Sequence, residues 1–179
     1  MKIKMGVIGS GANLREEVRV KAYEIGKEIA IADCILITGS GQGLPYEAVK
    51  GAKEIGGITI GISPASNIQE QVERYKFPTE SFDVLIFTGF GLKGRNVPFI
   101  RTCDGIIVIS GRIGTLNEFT IAYDERKVIG VLKGTGGISE SIEDVIKGSE
   151  KEGGKVIYES DPHILIKEVI RSLRSNVRF

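Results

Sequence analysis

The 179-residue sequence predicts an α/β domain in which a mostly parallel sheet of about seven strands lies between two helical layers, a three-layer α/β/α sandwich. Three observations lead there. Short, continuously apolar runs such as Gly105–Ile109 have the length and composition of strands buried on both faces. Longer amphipathic segments alternate with these runs along the whole chain. Glycines gather where the runs end, at 9–11, 39–43, 89–94 and 111–114, as tight strand-to-helix turns require.

Taken in order, residues 3–9 read as a strand ending in Gly9-Ser10-Gly11. A helix follows from about Asn13 to Ala32, with Val18, Ala22, Ile25, Ile29 and Ala32 at three- and four-residue spacing. The second strand, Ile35 to Thr38, ends in Gly39-Ser40-Gly41-Gln42-Gly43. Pro45 suits the first turn of the next helix and Gly56-Gly57 its end. The third strand is Ile58 to Ile62. Residues 63–81 form the one long irregular segment, with room for a short helix, and so long a loop in a compact domain is usually functional or mobile. A strand at Val84 to Phe87, a helix from about Arg95 to Thr102 and a strand over 105–109 lead to a turn and a helix over Leu116 to Tyr123. A strand at Val128 to Leu132, a helix over 139–149, a strand at Lys155 to Tyr158 and a helix capped by Asp161 and Pro162 complete the pattern. No repeat, linker or change of composition divides residues 1–179, which read as a single domain.

Composition excludes several function classes. With 24 basic and 23 acidic side chains the net charge is +1, which recommends neither nucleic acid nor an anionic membrane as partner. No apolar run approaches the ~20 residues of a membrane span, and the first strand leaves no room for a signal peptide, so a cytoplasmic protein is expected. Cys34 and Cys103 read as buried, reduced thiols. His163 is the only histidine and lies far from every glycine turn. Metal centres and serine-type triads are therefore not expected, and no cofactor is implied.

The chemistry gathers at the ends of the strands. In such sheets ligands bind outside the carboxyl ends of the strands, at a topological switch point. Gly39 to Gly43 has a Gly-x-Gly-x-Gly pattern suited either to backbone N–H groups around a phosphate or ribose, with Ser40 adding a hydroxyl, or simply to a tight turn. It is not the dinucleotide fingerprint: Gly9-Ser10-Gly11-Ala12-Asn13 lacks the third glycine, and the second strand closes on Thr38 rather than an acid. A Gly-Lys-Ser/Thr loop is absent. Ser110-Gly111-Arg112-Ile113-Gly114-Thr115-Leu116-Asn117-Glu118 offers glycines and free N–H groups to an anion, yet sets Glu118 in what reads as the first helical turn. Arg95 reads as lying at a helix start, where it could grip a carboxylate or phosphate by two parallel bonds.

Together these residues resemble the LOG-like superfamily, whose members have been described as possible lysine decarboxylases and which includes a molybdenum-cofactor carrier protein. Its signature is a Pro-Gly-Gly-x-Gly-Thr-x-x-Glu turn preceded by an arginine on the helix before the strand. Here the turn is 110–118 and the arginine is Arg95, at similar spacing; Asp104 fits the family's Ser/Ala-Asp. Gly9-Ser10-Gly11 and Gly39 to Gly43 look like its other nucleotide-contacting turns. The likeness spans roughly residues 3 to 135. It implies a Rossmann-like domain that hydrolyses a nucleoside 5′-monophosphate to free base and ribose 5-phosphate. Glu118 and Arg95 would be catalytic. The nucleotide would be bound by Gly9, Ser10, Gly39, Ser40, Gly41, Gly43, Gly111, Arg112, Gly114 and Thr115. A homodimer or higher homo-oligomer is implied too. Ser110 and Arg112 replace the signature's proline and second glycine, and Asn117 and Asn96 stand where the enzymes commonly carry Glu and Lys. Asn96 after Arg95 looks more like the carrier-type branch, so the alternative is a non-catalytic carrier or sensor of a phosphorylated ligand such as molybdenum cofactor or a nucleotide. No lysine sits in a recognisable pyridoxal phosphate setting, which argues against decarboxylation.

Overall fold

The computed structural model describes residues 1–12 and 15–176. Seven strands, β1 (Lys4–Gly9), β2 (Ile35–Thr38), β3 (Thr59–Ser63), β4 (Val84–Phe87), β5 (Gly105–Ile109), β6 (Val128–Leu132) and β7 (Val156–Glu159), form one sheet in the order β4-β3-β2-β1-β5-β6-β7. Every neighbouring pair is parallel. β1 pairs on one side with β2, which follows it, and on the other with β5, so the order reverses between β1 and β5. That reversal opens a crevice at the carboxyl ends of the two strands.

The helices are α1 (Glu16–Ile31), α2 (Leu44–Glu54), α3 (Ile68–Glu73), α4 (Gly91–Gly94), α5 (Asn96–Thr102), α6 (Ile113–Asp124), α7 (Ile142–Ser149) and α8 (Pro162–Asn176), with a 3₁₀ turn at Gly137–Glu140. Two cores lie on the two sheet faces, sorted by the two-residue period of the strands. Ile107 and Ile109 of β5 pack with Val18, Ile25 and Ile29 of α1, Leu44 and Val49 of α2, and Leu165 and Val169 of α8. Ile106 and Val108 turn the other way, onto Phe99 of α5, Phe119 of α6 and Ile142 of α7. α1 and α2 approach backbone to backbone: a Cβ at Gly26 would lie 1.8 Å from Ala48 O, and one at Gly51 would lie 2.0 Å from Tyr23 O. No described helix is long and apolar enough to cross a membrane.

Three boundaries differ from the sequence reading in ways that matter to the site. The predicted start of the first helix, at Asn13, lies outside the described residues. The predicted helix over 95–102 is α5, and α4 abuts it from the N-terminal side with Arg95 between the two, still in the helical region (φ −67°, ψ −26°). Pro98 explains the seam, because it has no N–H to donate back to Gly94. Arg95 is therefore in mid-helix rather than at a helix start: its N–H donates to Gly91 O at 3.1 Å, and Phe99 N–H donates to its carbonyl at 3.1 Å. Finally, α6 begins at Ile113, three residues before the predicted Leu116. Gly111, at φ +109°, makes the sharp exit from β5. Leu116 N–H already donates to the Arg112 carbonyl at 2.9 Å. Gly114, read as loop because glycine disfavours helix, is inside the first turn. Glu118 consequently sits in the second turn of α6, and the correction removes the helix-dipole reason for its presence.

Candidate functional site

Crossing the sheet at the β1–β5 reversal, the chain closes a small cavity of ≈ 90 Å³ lined by Gly9 at the end of β1 and Gly11 beyond it, Gly39, Gly41 and Gln42 after β2, and Arg95, Phe99 and Glu118 from the opposite face. Arg95 and Glu118, 23 residues apart in sequence, form its charged wall. Their side chains are only 9% and 12% exposed, and Arg95 Nη1 lies 3.5 Å from Glu118 Oε1. This is a long contact for a charge-assisted bond, which normally closes to about 2.7–2.9 Å. The guanidinium centre sits 5.6 Å from the Phe99 ring centroid. Arg95 Nε, fully shielded from solvent, has no hydrogen-bond partner among the described residues. A buried guanidinium with one stretched contact and an orphaned N–H has unspent capacity to bind an anion.

Burial dominates the electrostatics. It pushes the Glu118 carboxyl up to about 7, against the opposing pull of the Arg95 and Lys93 cations. The same burial lowers Arg95, although the Glu118 charge favours its protonated form. Asn96, 3% exposed, completes the group. In the amide orientation that satisfies its neighbours, its Nδ2 donates to Leu92 O at 3.0 Å and to Glu118 Oε1 at 3.2 Å. Its Oδ1 then faces the Asn117 amide at 2.7 Å. One amide donor and one cation at 3.5 Å thus attend the carboxyl, and they do not offset its burial.

The glycines of the crevice do different jobs. At Gly39 a Cβ would lie 1.7 Å from Arg95 Nη1, so this position is bare to admit the guanidinium rather than a ligand. Gly9 and Gly41 line the cavity; Gly43 lies outside it, packed on Ser10 O and Gly11. Ser40 is fully buried and its hydroxyl faces Gln71 Oε1 at 3.4 Å, away from any ligand. The Ser10 hydroxyl is committed to Ala12 O at 2.8 Å.

The β5–α6 turn is braced from behind. Ser110, at φ +56°, donates its N–H to Thr135 Oγ1 at 2.8 Å, and Ile138 N–H donates to Gly111 O at 2.9 Å. Thr115 is buried beneath Gly111, where a Cβ would lie 2.6 Å from its side chain. A Cβ at Gly114 would meet nothing within 4 Å. Gly114 and Glu118 are four residues apart and share one face of α6, so the open start of the helix lies one turn above the carboxyl. Its first N–H groups have no intrahelical acceptor and are free for an anion. Arg112 caps this helix in an extended conformation and is exposed.

The structure thus gathers Gly9, Gly39, Gly41, Arg95 and Glu118 at the cavity. It sets Gly111, Arg112 and Gly114 at the helix start above it, and turns Ser40 and Thr115 inward. Sequence reasoning missed Gln42 and Phe99 as lining residues, the contact of Asn96 to Glu118 and that of Asn117 to Asn96. Their signal was present only in their adjacency to Gly41, Arg95 and Glu118.

Comparisons with known proteins bear on this geometry. The sequence model of LDcluster4, the SLOG cluster4 family, matches residues 2–166. An uncharacterised protein of Archaeoglobus fulgidus is 35% identical over 132 residues, which cover 73% of this chain and 80% of that protein. Among solved structures, the molybdenum cofactor binding protein of Rippkaea orientalis superposes with a TM-score of 0.79 at 27% identity, covering 97% of this chain and 98% of its own. The Moco carrier protein of Chlamydomonas reinhardtii superposes with a TM-score of 0.79 at 28% identity, covering 99% and 100%.

Proposed function

The chain belongs to the SLOG cluster4 family, and from that premise we propose that its crevice binds and carries a phosphorylated heterocycle, either a nucleotide or a phosphorylated pterin of the molybdenum-cofactor kind. The observation that carries this reading is the buried Arg95, with an orphaned Nε and a single stretched contact to Glu118. The open start of α6, one turn above, supplies N–H donors for phosphate. The cavity, at ≈ 90 Å³, falls well short of the ~300 Å³ or more that a site for a whole heterocyclic ligand needs. Only the charged or ribose end of the ligand enters it, then, and the ring lies across Gly11 and Gln42 at the mouth. Two structural neighbours that bind or carry molybdenum cofactor support the carrier reading. Mass spectrometry of small molecules released from the purified protein tests it. An empty crevice, together with no thermal shift from any phosphorylated nucleotide or pterin, refutes it.

A second reading, phosphoribohydrolase activity on a nucleoside 5′-monophosphate, is favoured by one observation: a carboxyl titrating at about 7 is poised to exchange a proton at neutral pH. Breaking the N-glycosidic bond develops positive charge on the ribose, which ionised Glu118 would stabilise while it orients water. Arg95 would hold Glu118 and the ribose in register. Chromatography of free base released from a panel of nucleoside monophosphates decides the matter. Release no greater than from Glu118→Gln ends this reading.

Homodimerisation, implied by the family resemblance, is proposed over Phe90, Leu92, Val97 and Ile113, which are 37–73% exposed in the segments framing Arg95 and Glu118. Light scattering that finds a monomer at micromolar concentration removes it. Two free, buried cysteines fit the reducing cytoplasm proposed as its compartment.

A further inference from the structure

The segment between β3 and β4 is fastened to the loop after β2 chiefly through Gln71. Gln71 is the only buried residue of α3 and is 0% exposed. A glutamine amide has two N–H donors and an oxygen that accepts twice, and here each has a partner. Oε1 accepts from Ser63 Oγ at 2.6 Å and from Ser40 Oγ at 3.4 Å. Nε2 donates to Pro78 O at 3.0 Å and to Ser40 O at 3.4 Å. Two further contacts tie the same segments together: Gln42 Nε2 donates to Lys76 O at 2.5 Å, and the Phe77 ring lies 3.3 Å from where a Cβ on Gly41 would be.

Ser40 itself is held in the left-handed region, at φ +56°, a conformation a serine keeps only when its surroundings enforce it. Gln71 reaches both its hydroxyl and its carbonyl, each at 3.4 Å. A trans peptide points its C=O and the following N–H to opposite sides. Holding Ser40 O against Gln71 therefore turns the Gly41 N–H away from α3. Gly41 forms part of the cavity wall, and its N–H makes no hydrogen bond among the described residues.

We propose that Gln71 is a positioning residue for the ligand: it locks the Ser40–Gly41 peptide so that the Gly41 N–H is presented to an anionic oxygen of a nucleoside monophosphate in the crevice. The inference rests on the reading of the crevice as a phosphorylated-ligand site. It gives the irregular 64–81 segment a role, that of a strap which sets the peptide plane of the loop after β2. The strap itself does not touch the ligand.

The test is calorimetric titration of wild type, Gln71→Glu and Thr59→Val with AMP, GMP and inorganic phosphate, alongside amide spectra of ¹⁵N-labelled wild type. Gln71→Glu keeps the shape but replaces both donors by an acceptor facing Ser40 O and Pro78 O. Its Kd for the tightest of these ligands should rise about tenfold, the size of one lost hydrogen bond to a charged group. Thr59→Val breaks the far end of the strap, where Thr59 Oγ1 donates to Ser81 O at 2.6 Å. It should lower Tm while leaving Kd within twofold, separating loosening of the fold from loss of positioning. The Gly41 amide resonance of wild type should shift on saturation. Wild type that binds none of the three removes the nucleoside monophosphate from the crevice, and this inference with it, while leaving the pterin reading to its own test. Wild type that binds while Gln71→Glu binds equally well overturns the inference alone. An unmoved Gly41 resonance at saturation also overturns it, whether or not Gln71→Glu folds.

Discussion

Replacing Glu118 by glutamine keeps the shape of the side chain and fixes it in the neutral state that burial favours. In the folded protein the carboxyl titrates at about 7, against its ordinary 4.5, because desolvation outweighs the attraction of Arg95 and Lys93. The folded state therefore holds this proton more tightly than the unfolded chain. Stability from the neutral carboxyl is fully present below pH 4.5 and is lost as pH rises through 7. At about 1.4 kcal/mol per pH unit between the two values, wild type should lose about 3 kcal/mol by pH 8 from this group. Glu118→Gln cannot lose it. Other titrating groups are common to both proteins, so the difference between them isolates Glu118. Urea denaturation of both across pH 4.5–8.5 reads it directly, and the variant should gain on wild type by up to about 3 kcal/mol toward alkaline pH. A stability difference that stays level across this range refutes the claim that burial governs Glu118.

Other consequences concern packing around the same crevice. Gly39→Ala places a methyl 1.7 Å from Arg95 Nη1 and expels the guanidinium. Breaking a buried pair in this way costs about 3 kcal/mol, and Gly39→Ala/Arg95→Met should recover most of it in denaturant melts if the clash is the cause. Asn96→Ala and Asn117→Ala should be non-additive by about 1 kcal/mol in a double-mutant cycle, because the two amides face each other at 2.7 Å. Gly26→Ala raises helix propensity by up to ~1 kcal/mol yet drives a methyl to 1.8 Å from Ala48 O. A lower Tm shows that the close approach of α1 and α2 decides; a higher one shows that it does not.

Much of the fold was legible because the strands appear as uninterrupted apolar runs, even at the sheet edge, where Val84 and Ile86 of β4 are exposed. The bounds of β2, β4, β5 and β6 follow from those runs to the residue. Helix ends were harder. Gly114 reads as a breaker but sits at the start of α6, where Gly111 has already made the turn. The seam at Arg95 follows from the missing N–H of Pro98, three residues on. In the site, the likeness of the 110–118 turn and Arg95 to a known family was readable from spacing. The work of each side chain was not. Ser40 and Gly39 sit in one glycine pattern, yet the first turns its hydroxyl into the protein and the second makes room for Arg95.

The sequence by itself pointed to a mostly parallel sheet of about seven strands through local periodicity, and to the candidacy of Arg95 and Glu118 through a resemblance to a known family. Only the tertiary structure decided that Arg95 and Glu118 meet, buried, at a small cavity, that desolvation lifts the carboxyl toward neutrality, and that Gln71 reaches across to hold Ser40. Each of these depends on residues 23 to 31 positions apart being brought into contact. Burial and hydrogen-bond partners at that range exist only once the sheet has formed.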